Sequence, residues 1–158
     1  MSNKLEYSGV KWGKVDKLLK GEYHHSLDDK GRVFIPSKLR ACLGETFVLT
    51  RGLDGCLSIY PQDEWQIIVE RARGLKLTDP KARLFKRVIF SRAVDCNVDK
   101  QGRIAIPQNL REHAAIDRDA VIVGVGERLE VWSEERWTGY QSEISDDYVA
   151  EQLEGLDF

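Results

Sequence analysis

Two short segments of this 158-residue chain place an aspartate four residues before an arginine, with a glycine directly before that arginine. The aspartates are Asp28 and Asp99, the arginines are Arg32 and Arg103, and the glycines are Gly31 and Gly102. Across a tight turn, a carboxylate can hold a guanidinium group through directional hydrogen bonds. The arginine then keeps donors for a phosphate or for the acceptor edge of guanine. We therefore expect both aspartates to stabilise their turns and both arginines to contact nucleic acid.

Further basic residues lie close to each motif and predict two small basic clusters. They are Lys30, Lys38, Arg40, Lys100 and Arg111. We expect Lys30, Lys38, Arg40 and Lys100 to contact nucleic acid together with the two arginines. The sequence contains no phosphate-binding glycine-rich loop, no nucleophile elbow and no zinc-protease motif. We expect no catalytic residue, cofactor or metal.

The two motifs belong to an internal repeat, which is the most informative feature of the sequence. Residues 26–40 match residues 97–111 without a gap at an offset of 71, and residues 57–60 match residues 129–132 at an offset of 72. The repeat predicts one unit over 22–65 and another over 93–137. Because a unit of about 45 residues is marginal on its own, we expect the two copies to pair.

The patterns within each unit are rich in β-strand. Apolar stretches on both sides of each turn predict a hairpin, in which the glycine supplies a positive φ. Pro36 and Pro107 end the strand and suit the first turn of a helix. The predicted helices cover 37–43 and 108–114, and the predicted further strands cover 46–50, 56–60, 120–125 and 128–132.

Three segments lie outside the two units. Residues 66–92 form a basic linker. The apolar spacing predicts helices over 62–74 and 80–92. The basic face of these helices either is solvated or contacts another subunit, or it binds phosphate. Residues 138–158 form an acidic tail, with a weak amphipathic helix. Residues 1–20 are expected to be an extension without fixed structure, and we expect translation to begin near Val15 or Leu18.

Charge and cysteine content narrow the function classes. Residues 1–92 carry 18 Lys and Arg against 11 Asp and Glu, whereas residues 93–158 carry 6 against 15. This asymmetry indicates either a basic face for an anionic partner or opposite surfaces that meet between subunits. Cys42, Cys56 and Cys96 form no CxxC pair and are predicted to be reduced core residues. The sequence has no signal peptide or membrane-spanning run, so we expect a cytosolic protein.

The repeated segments also resemble the MraZ family of bacterial regulators. The resemblance rests on Asp-Asp-Lys-Gly-Arg-Val-Phe-Ile-Pro at 28–36 and on Asp-Lys-Gln-Gly-Arg-Ile-Ala-Ile-Pro at 99–107. It also rests on Tyr60-Pro-Gln-Asp-Glu-Trp65 and on Glu130-Val-Trp132 followed by Trp137, and it covers roughly residues 20–140. It implies a β-rich α+β fold of two tandem SpoVT-AbrB units, of the swapped-hairpin, double-psi barrel-like type. These units would form a pseudo-dimer within the chain, with a helical linker and C-terminal helices.

The same resemblance implies a function. Members of the family bind direct repeats of a short G-rich element in double-stranded DNA upstream of the division and cell-wall gene cluster, and usually repress it. They assemble into ring-shaped homo-oligomers, and we expect the chain to be cytoplasmic and nucleoid-associated. The family's Asp-x-x-x-Arg motif falls on Asp28 with Arg32 and on Asp99 with Arg103. The second unit is less basic, which leaves open whether both units engage DNA equally.

Three other functions are considered. His24 and His25 lie close to Asp28 and Asp29 and could bind a metal in an enzyme, but the second repeat has no matching cluster. The acidic tail is compatible with an antitoxin that also binds a toxin, although such proteins usually carry one unit. A ring-shaped scaffold that binds no nucleic acid is the third.

Overall fold

The computed structural model describes residues 18–157. The predictions made for residues 1–17 therefore lie outside the described part of the chain. Eight strands and six helices follow one another along these residues. They are β1 (Leu19–Ser26), β2 (Arg32–Phe34), α1 (Ser37–Leu43), β3 (Phe47–Arg51), β4 (Leu57–Pro61), α2 (Gln62–Arg73), α3 (Pro80–Phe90), β5 (Val94–Cys96), β6 (Arg103–Ala105), α4 (Gln108–Ala114), β7 (Asp119–Gly126), β8 (Leu129–Ser133), α5 (Glu134–Glu143) and α6 (Asp146–Gln152).

Six of the strands form one antiparallel sheet in the order β1-β7-β8-β4-β3-β5. Each repeat places one strand at the far edge of the other repeat's hairpin: β1 pairs with β7, and β5 pairs with β3. At the centre of the sheet, Ser58 lies opposite Glu130, which is its own equivalent in the second repeat. The sheet therefore has an approximate twofold axis between β4 and β8, as expected for a pseudo-dimer within one chain.

A second, two-stranded sheet lies on the same approximate axis. Strands β2 and β6 pair antiparallel, with Val33 opposite its repeat equivalent Ile104. The backbone N–H of Ile35 donates to the carbonyl of Gly102 at 2.8 Å, and that of Ile106 donates to Gly31 at 2.9 Å.

The prediction of a local hairpin within each unit is therefore correct for the turn but wrong for the pairing of the strand that follows it. The turn itself closes, but the strand that follows it pairs with the other repeat. The reason is burial: Val33 and Ile104 are 0% and 1% exposed, and their strands reach the shared core only by meeting each other.

The core lies between the large sheet and the two crossing strands. It includes Leu27, Ile35 and Leu39 from the first repeat and Ile106 and Leu110 from the second, all of them nearly inaccessible to solvent. Val98, the equivalent of Leu27, is partly buried against this core. Helices α1 and α4 start directly after Pro36 and Pro107, as predicted, and present two leucines, Leu39 and Leu110, to this core. The core is thus built from both repeats, and neither repeat could bury it alone.

An equivalent aromatic pair occurs in each repeat. Tyr60 lies 5.7 Å from Trp65 between ring centroids, and its equivalent Trp132 lies 5.4 Å from Trp137. Cys56 and Cys96 are buried, whereas Cys42 is half-buried. Among residues 18–157, the structure contains no helix that is long and apolar enough to cross a membrane.

Strand β1 is the element that the sequence patterns did not predict. It contains Leu19 and Lys20, which were assigned to the extension, and it pairs along its whole length with β7. At Gly124 of β7 the two strands approach so closely that an added Cβ would lie 2.3 Å from the backbone nitrogen of Lys20.

We predict that Gly124→Ala lowers the free energy of unfolding by about 1 to 3 kcal/mol or more, because backbone must move to admit the methyl group. The matched control is Gly139→Ala, since Gly139 lies in α5 and an added Cβ there meets nothing within 4 Å. The control should gain up to about 1 kcal/mol from helix propensity. Urea denaturation of both variants measures the difference, and equal stabilities would contradict the close approach of β1 and β7.

Candidate nucleic-acid interface

The first Asp-x-x-x-Arg motif forms a closed turn between β1 and β2. The N–H of Asp28 donates to the carbonyl of Arg32 at 2.9 Å, and the N–H of Gly31 donates back to the carbonyl of Asp28 at 3.0 Å. One carboxylate oxygen of Asp28 accepts from the backbone N–H groups of Lys30 and Arg32. The other accepts from Nε of Arg32 at 2.7 Å. The side chain of Asp28 therefore holds both the turn and the guanidinium group.

The second motif repeats this geometry between β5 and β6. Oδ1 of Asp99 accepts from the backbone N–H groups of Gln101 and Arg103, both at 2.9 Å. Nε of Arg103 donates to Oδ2 of Asp99 at 3.0 Å. Gly31 and Gly102 have φ values of 76° and 79°, so each turn needs a residue that tolerates the left-handed region. The predicted ion pairs and the predicted glycine conformations are confirmed in both repeats.

The two motifs are joined to each other through one carboxylate. Nη1 of Arg103 donates to Oδ2 of Asp28 at 3.4 Å, across 75 residues of sequence. Asp28 thus contacts the arginines of both repeats. Within residues 18–157, the only arginine side chain that Asp99 contacts is that of Arg103. The side chains of Arg32 and Arg103 are 30% and 26% exposed, so both are held close together and remain open to solvent.

Two further arginines cover the turns from the opposite repeat. An added Cβ on Gly31 would lie 2.8 Å from the guanidinium carbon of Arg111, and one on Gly102 would lie 3.0 Å from that of Arg40. The guanidinium group of Arg40 also lies 5.5 Å from the ring centroid of Phe34. Each turn is therefore packed beneath an arginine of the other repeat, and the positive φ of the turn favours glycine there.

The local electrostatics favour ionised carboxylates. The pKa of Asp28 lies below its ordinary value of 3.8, chiefly because the backbone N–H of Arg32 hydrogen-bonds to it. The pKa of Asp99 is lowered in the same way by the backbone of Arg103. Four arginines lie at the two turns: Arg32 and Arg103 contact the carboxylates, and Arg111 and Arg40 lie over Gly31 and Gly102. The site therefore keeps an excess of positive charge, which suits a polyanion.

The predicted lysines occupy different places relative to this site. Lys30 and Lys100 lie in the two turns and are exposed. Lys38 is also exposed, but it lies two residues before Arg40 on α1. Because two positions along an α-helix are about 200° apart around its axis, Lys38 lies on the other flank of that helix. The structure brings the turn residues together with Arg40, and Lys38 does not join them.

Arg111 lies over the first turn in the same way that Arg40 lies over the second. The sequence predicts that Arg111 belongs to the basic cluster, but it predicts a nucleic-acid contact only for Arg40. The repeat offset of 71 equates the two residues and was the signal that could have paired them.

The histidines near the first motif are engaged elsewhere. His24 contacts Glu22 at 2.8 Å and Glu134 at 3.4 Å, and these hydrogen bonds, the first above all, raise its pKa. His25 packs its ring against Phe34. Within the described residues, no group of three or more His, Cys, Asp or Glu side chains is placed to hold a metal ion.

Comparison with known proteins places this geometry in a family. The family described as "MraZ protein, putative antitoxin-like" matches residues 18–88 and again residues 89–156. A transcriptional regulator MraZ from Heliobacterium modesticaldum is 51% identical over 143 residues, which are 89% of this chain and 99% of the relative. Proteins of the same name from Desulfitobacterium hafniense and Limosilactobacillus reuteri are 49% and 50% identical, over 88% and 89% of this chain and over 99% and 100% of their own lengths. These relatives are named as regulators of transcription, not as enzymes.

We predict that Asp28→Asn destabilises the protein more than Asp99→Asn, because Asp28 contacts the arginines of both repeats. Urea denaturation at neutral pH should give a lower midpoint for the Asp28 variant. A carboxylate whose pKa is lowered by folding stabilises above its unfolded pKa, and that contribution is lost as the pH falls through the folded value. The gap between wild type and the Asp28 variant should therefore close below about pH 3.8. A gap that persists in acid, or two variants of equal stability, would contradict the shared carboxylate.

Proposed function

We propose that this chain, which belongs to the MraZ family of transcriptional regulators, binds double-stranded promoter DNA in a sequence-specific manner and represses transcription. Its target is the division and cell-wall gene cluster, through direct repeats of a short G-rich element. The protein acts in the cytoplasm at the nucleoid, without a cofactor. The observation that carries this proposal is that one carboxylate, Asp28, holds the partly exposed side chains of both Arg32 and Arg103.

The remaining donors of these arginines support direct contact with bases. Asp28 occupies Nε of Arg32, and neither Nη group of Arg32 has a hydrogen-bond acceptor among residues 18–157. Both Nη groups are then available for the O6 and N7 acceptors of a guanine. Arg103 uses Nε on Asp99 and Nη1 on Asp28. We therefore assign the stronger role in base recognition to Arg32.

The neighbouring cations supply affinity without sequence preference. Lys30 and Lys100 flank the two arginines in the exposed turns, and we propose that they contact the phosphate backbone. Arg40 stacks on the opposite turn and has the same charge to offer a phosphate. Lys38, on the other flank of α1, is positioned for a phosphate further along the duplex. Binding through such contacts weakens steeply with salt, because counterions are released from the DNA.

Assembly makes these small contacts sufficient. A pair of turns recognises few bases, so one chain binds an isolated element weakly. We propose that chains form a ring and present several motif pairs to tandem elements, which raises the effective concentration of each further contact. A protein ring held across a promoter would exclude the polymerase.

Loss of one arginine should separate base recognition from phosphate contact. We predict that Arg32→Ala reduces the preference for an upstream duplex with direct repeats over a scrambled duplex by about fivefold to a hundredfold, which corresponds to the roughly 1 to 3 kcal/mol of a base contact. Arg103→Ala should have a smaller effect on this preference. Fluorescence anisotropy over a salt series measures both quantities.

The matched control for this experiment is Arg73→Ala. Arg73 is exposed on α2, pairs with Glu70 and lies outside the motifs. Its removal should leave the sequence preference unchanged. If Arg32→Ala keeps full preference while Arg73→Ala loses it, the interface lies on the linker and the proposal fails.

Assembly on tandem elements makes a further prediction. A duplex with two elements should bind much more tightly than a duplex with one, and inserting about 5 base pairs between them should remove the gain, since this turns the second element to the opposite side of the helix. Anisotropy with three duplexes of equal length tests this. Equal affinity for all three would contradict binding by a rigid assembly.

A further inference from the structure

An apolar groove runs between the two linker helices, and nothing in residues 18–157 fills it. It has a volume of about 430 Å³ and lies between α2 and α3. Its apolar lining comes from Ile68, Ala72, Leu75, Ala82 and Phe85, and Arg71 and Lys81 stand at its rim with Asp79. Leu75 in the groove is 41% exposed. Leu77 and Leu84 lie outside the groove lining and are 75% and 61% exposed.

The linker that forms this groove is strongly basic. Residues 66–92 contain eight Lys and Arg against two acidic residues. The carboxylate of Asp79 caps α3 by accepting from the backbone N–H of Lys81 at 2.9 Å. The groove therefore has an apolar floor and positively charged surroundings. It suits an occupant that is apolar on one side and acidic on the other.

The C-terminal helix α6 has those two properties and is itself unpartnered. None of its residues is buried, and Tyr148 within it is 46% exposed. Leu153 and Leu156, which follow the helix, are 54% and 65% exposed. Tyr148 and Val149 are neighbours within α6, and Leu153 and Leu156 follow its end, where Gly155 adopts a φ of 87° and the helix does not continue. Residues 138–158 contain six acidic residues and no basic one.

We propose that α6 and the residues after it dock into the groove between α2 and α3 of a second copy of this chain. The apolar residues of α6 would cover the groove, and its acidic residues would face the basic rim. The seven residues of α6 span about 10 Å. The lining of the groove on α2 and just after it runs over eight residues, from Ile68 to Leu75, so the two are of similar length. Because tail and groove are different surfaces, each chain can give its tail to one neighbour and receive a tail from another.

This contact rests on the self-assembly proposed above and names the surfaces that form it. It also gives the opposite charges of the two halves of the sequence a physical role. An interface of this kind should weaken with salt, because much of its attraction is between exposed charges.

Charge reversal in two separate variants tests the contact. The groove variant is Arg71→Glu with Lys81→Glu, and the tail variant is Glu151→Lys with Glu154→Lys. Both tail positions lie in or beyond the last turn of α6, where lysine is compatible with the helix dipole. We expect each variant alone to lose at least tenfold in its association constant, measured by sedimentation velocity at low salt.

Mixing the two variants should restore association. The reversed tail then meets the reversed groove, and the unaltered tail meets the unaltered groove. The matched control is Arg73→Glu with Arg87→Glu, which changes the linker charge equally at positions outside the groove. Its association constant should be closer to that of the wild type than the association constant of the groove variant is. Circular dichroism confirms that all variants are folded.

Four results would overturn the proposal. They are a wild type that remains monomeric, variants that associate normally, variants that are not rescued by mixing, and a control that is impaired as severely as the groove variant. Binding to a duplex with a single element is measured in parallel, because it depends on the motif pair and not on the tail. If association follows the proposal but no variant distinguishes operator from scrambled DNA, the proposed function fails and the docking contact stands.

Discussion

The structure depends on a carboxylate that belongs to one repeat and contacts arginines from both. Asp28 closes its own turn, holds Arg32 at 2.7 Å and reaches Arg103 at 3.4 Å. This contact exists because β2 and β6 cross and pair at the approximate twofold axis, where Val33 meets Ile104. The duplicated sequence therefore produces one site from two motifs, and the shared core that allows it cannot form from a single unit.

Rigid placement has a consequence for recognition. A free arginine loses side-chain entropy when it binds a ligand, whereas an arginine already held through Nε has lost much of it on folding. The turns are further fixed by packing, since Arg40 and Arg111 lie on Gly102 and Gly31. The site thus presents positive charge in a defined direction, with its two carboxylates kept ionised by backbone hydrogen bonds.

The sequence predicted the features that depend on nearby residues. The helices after Pro36 and Pro107, and the ion pairs within each turn, follow from short spacings and are confirmed. Strand β1 was missed because polar residues fill most of it and only Leu19 is fully buried. The strand partner predicted for β2 was wrong, and the contact between Asp28 and Arg103 was not predicted. Contacts between residues so far apart in sequence leave no local pattern. The contacts that join the two repeats are tertiary contacts, and the periodicity of the sequence alone does not predict them.

The coupling between the two arginines is the central claim, and a double-mutant cycle on DNA affinity tests it most directly. Binding of a direct-repeat duplex is measured for wild type, Arg32→Ala, Arg103→Ala and the double variant. Because both arginines share Asp28, their losses should be non-additive by about 0.5 to 3 kcal/mol. Losses that add to within about 0.3 kcal/mol would mean that the two motifs act independently, and would contradict a single site built from both repeats.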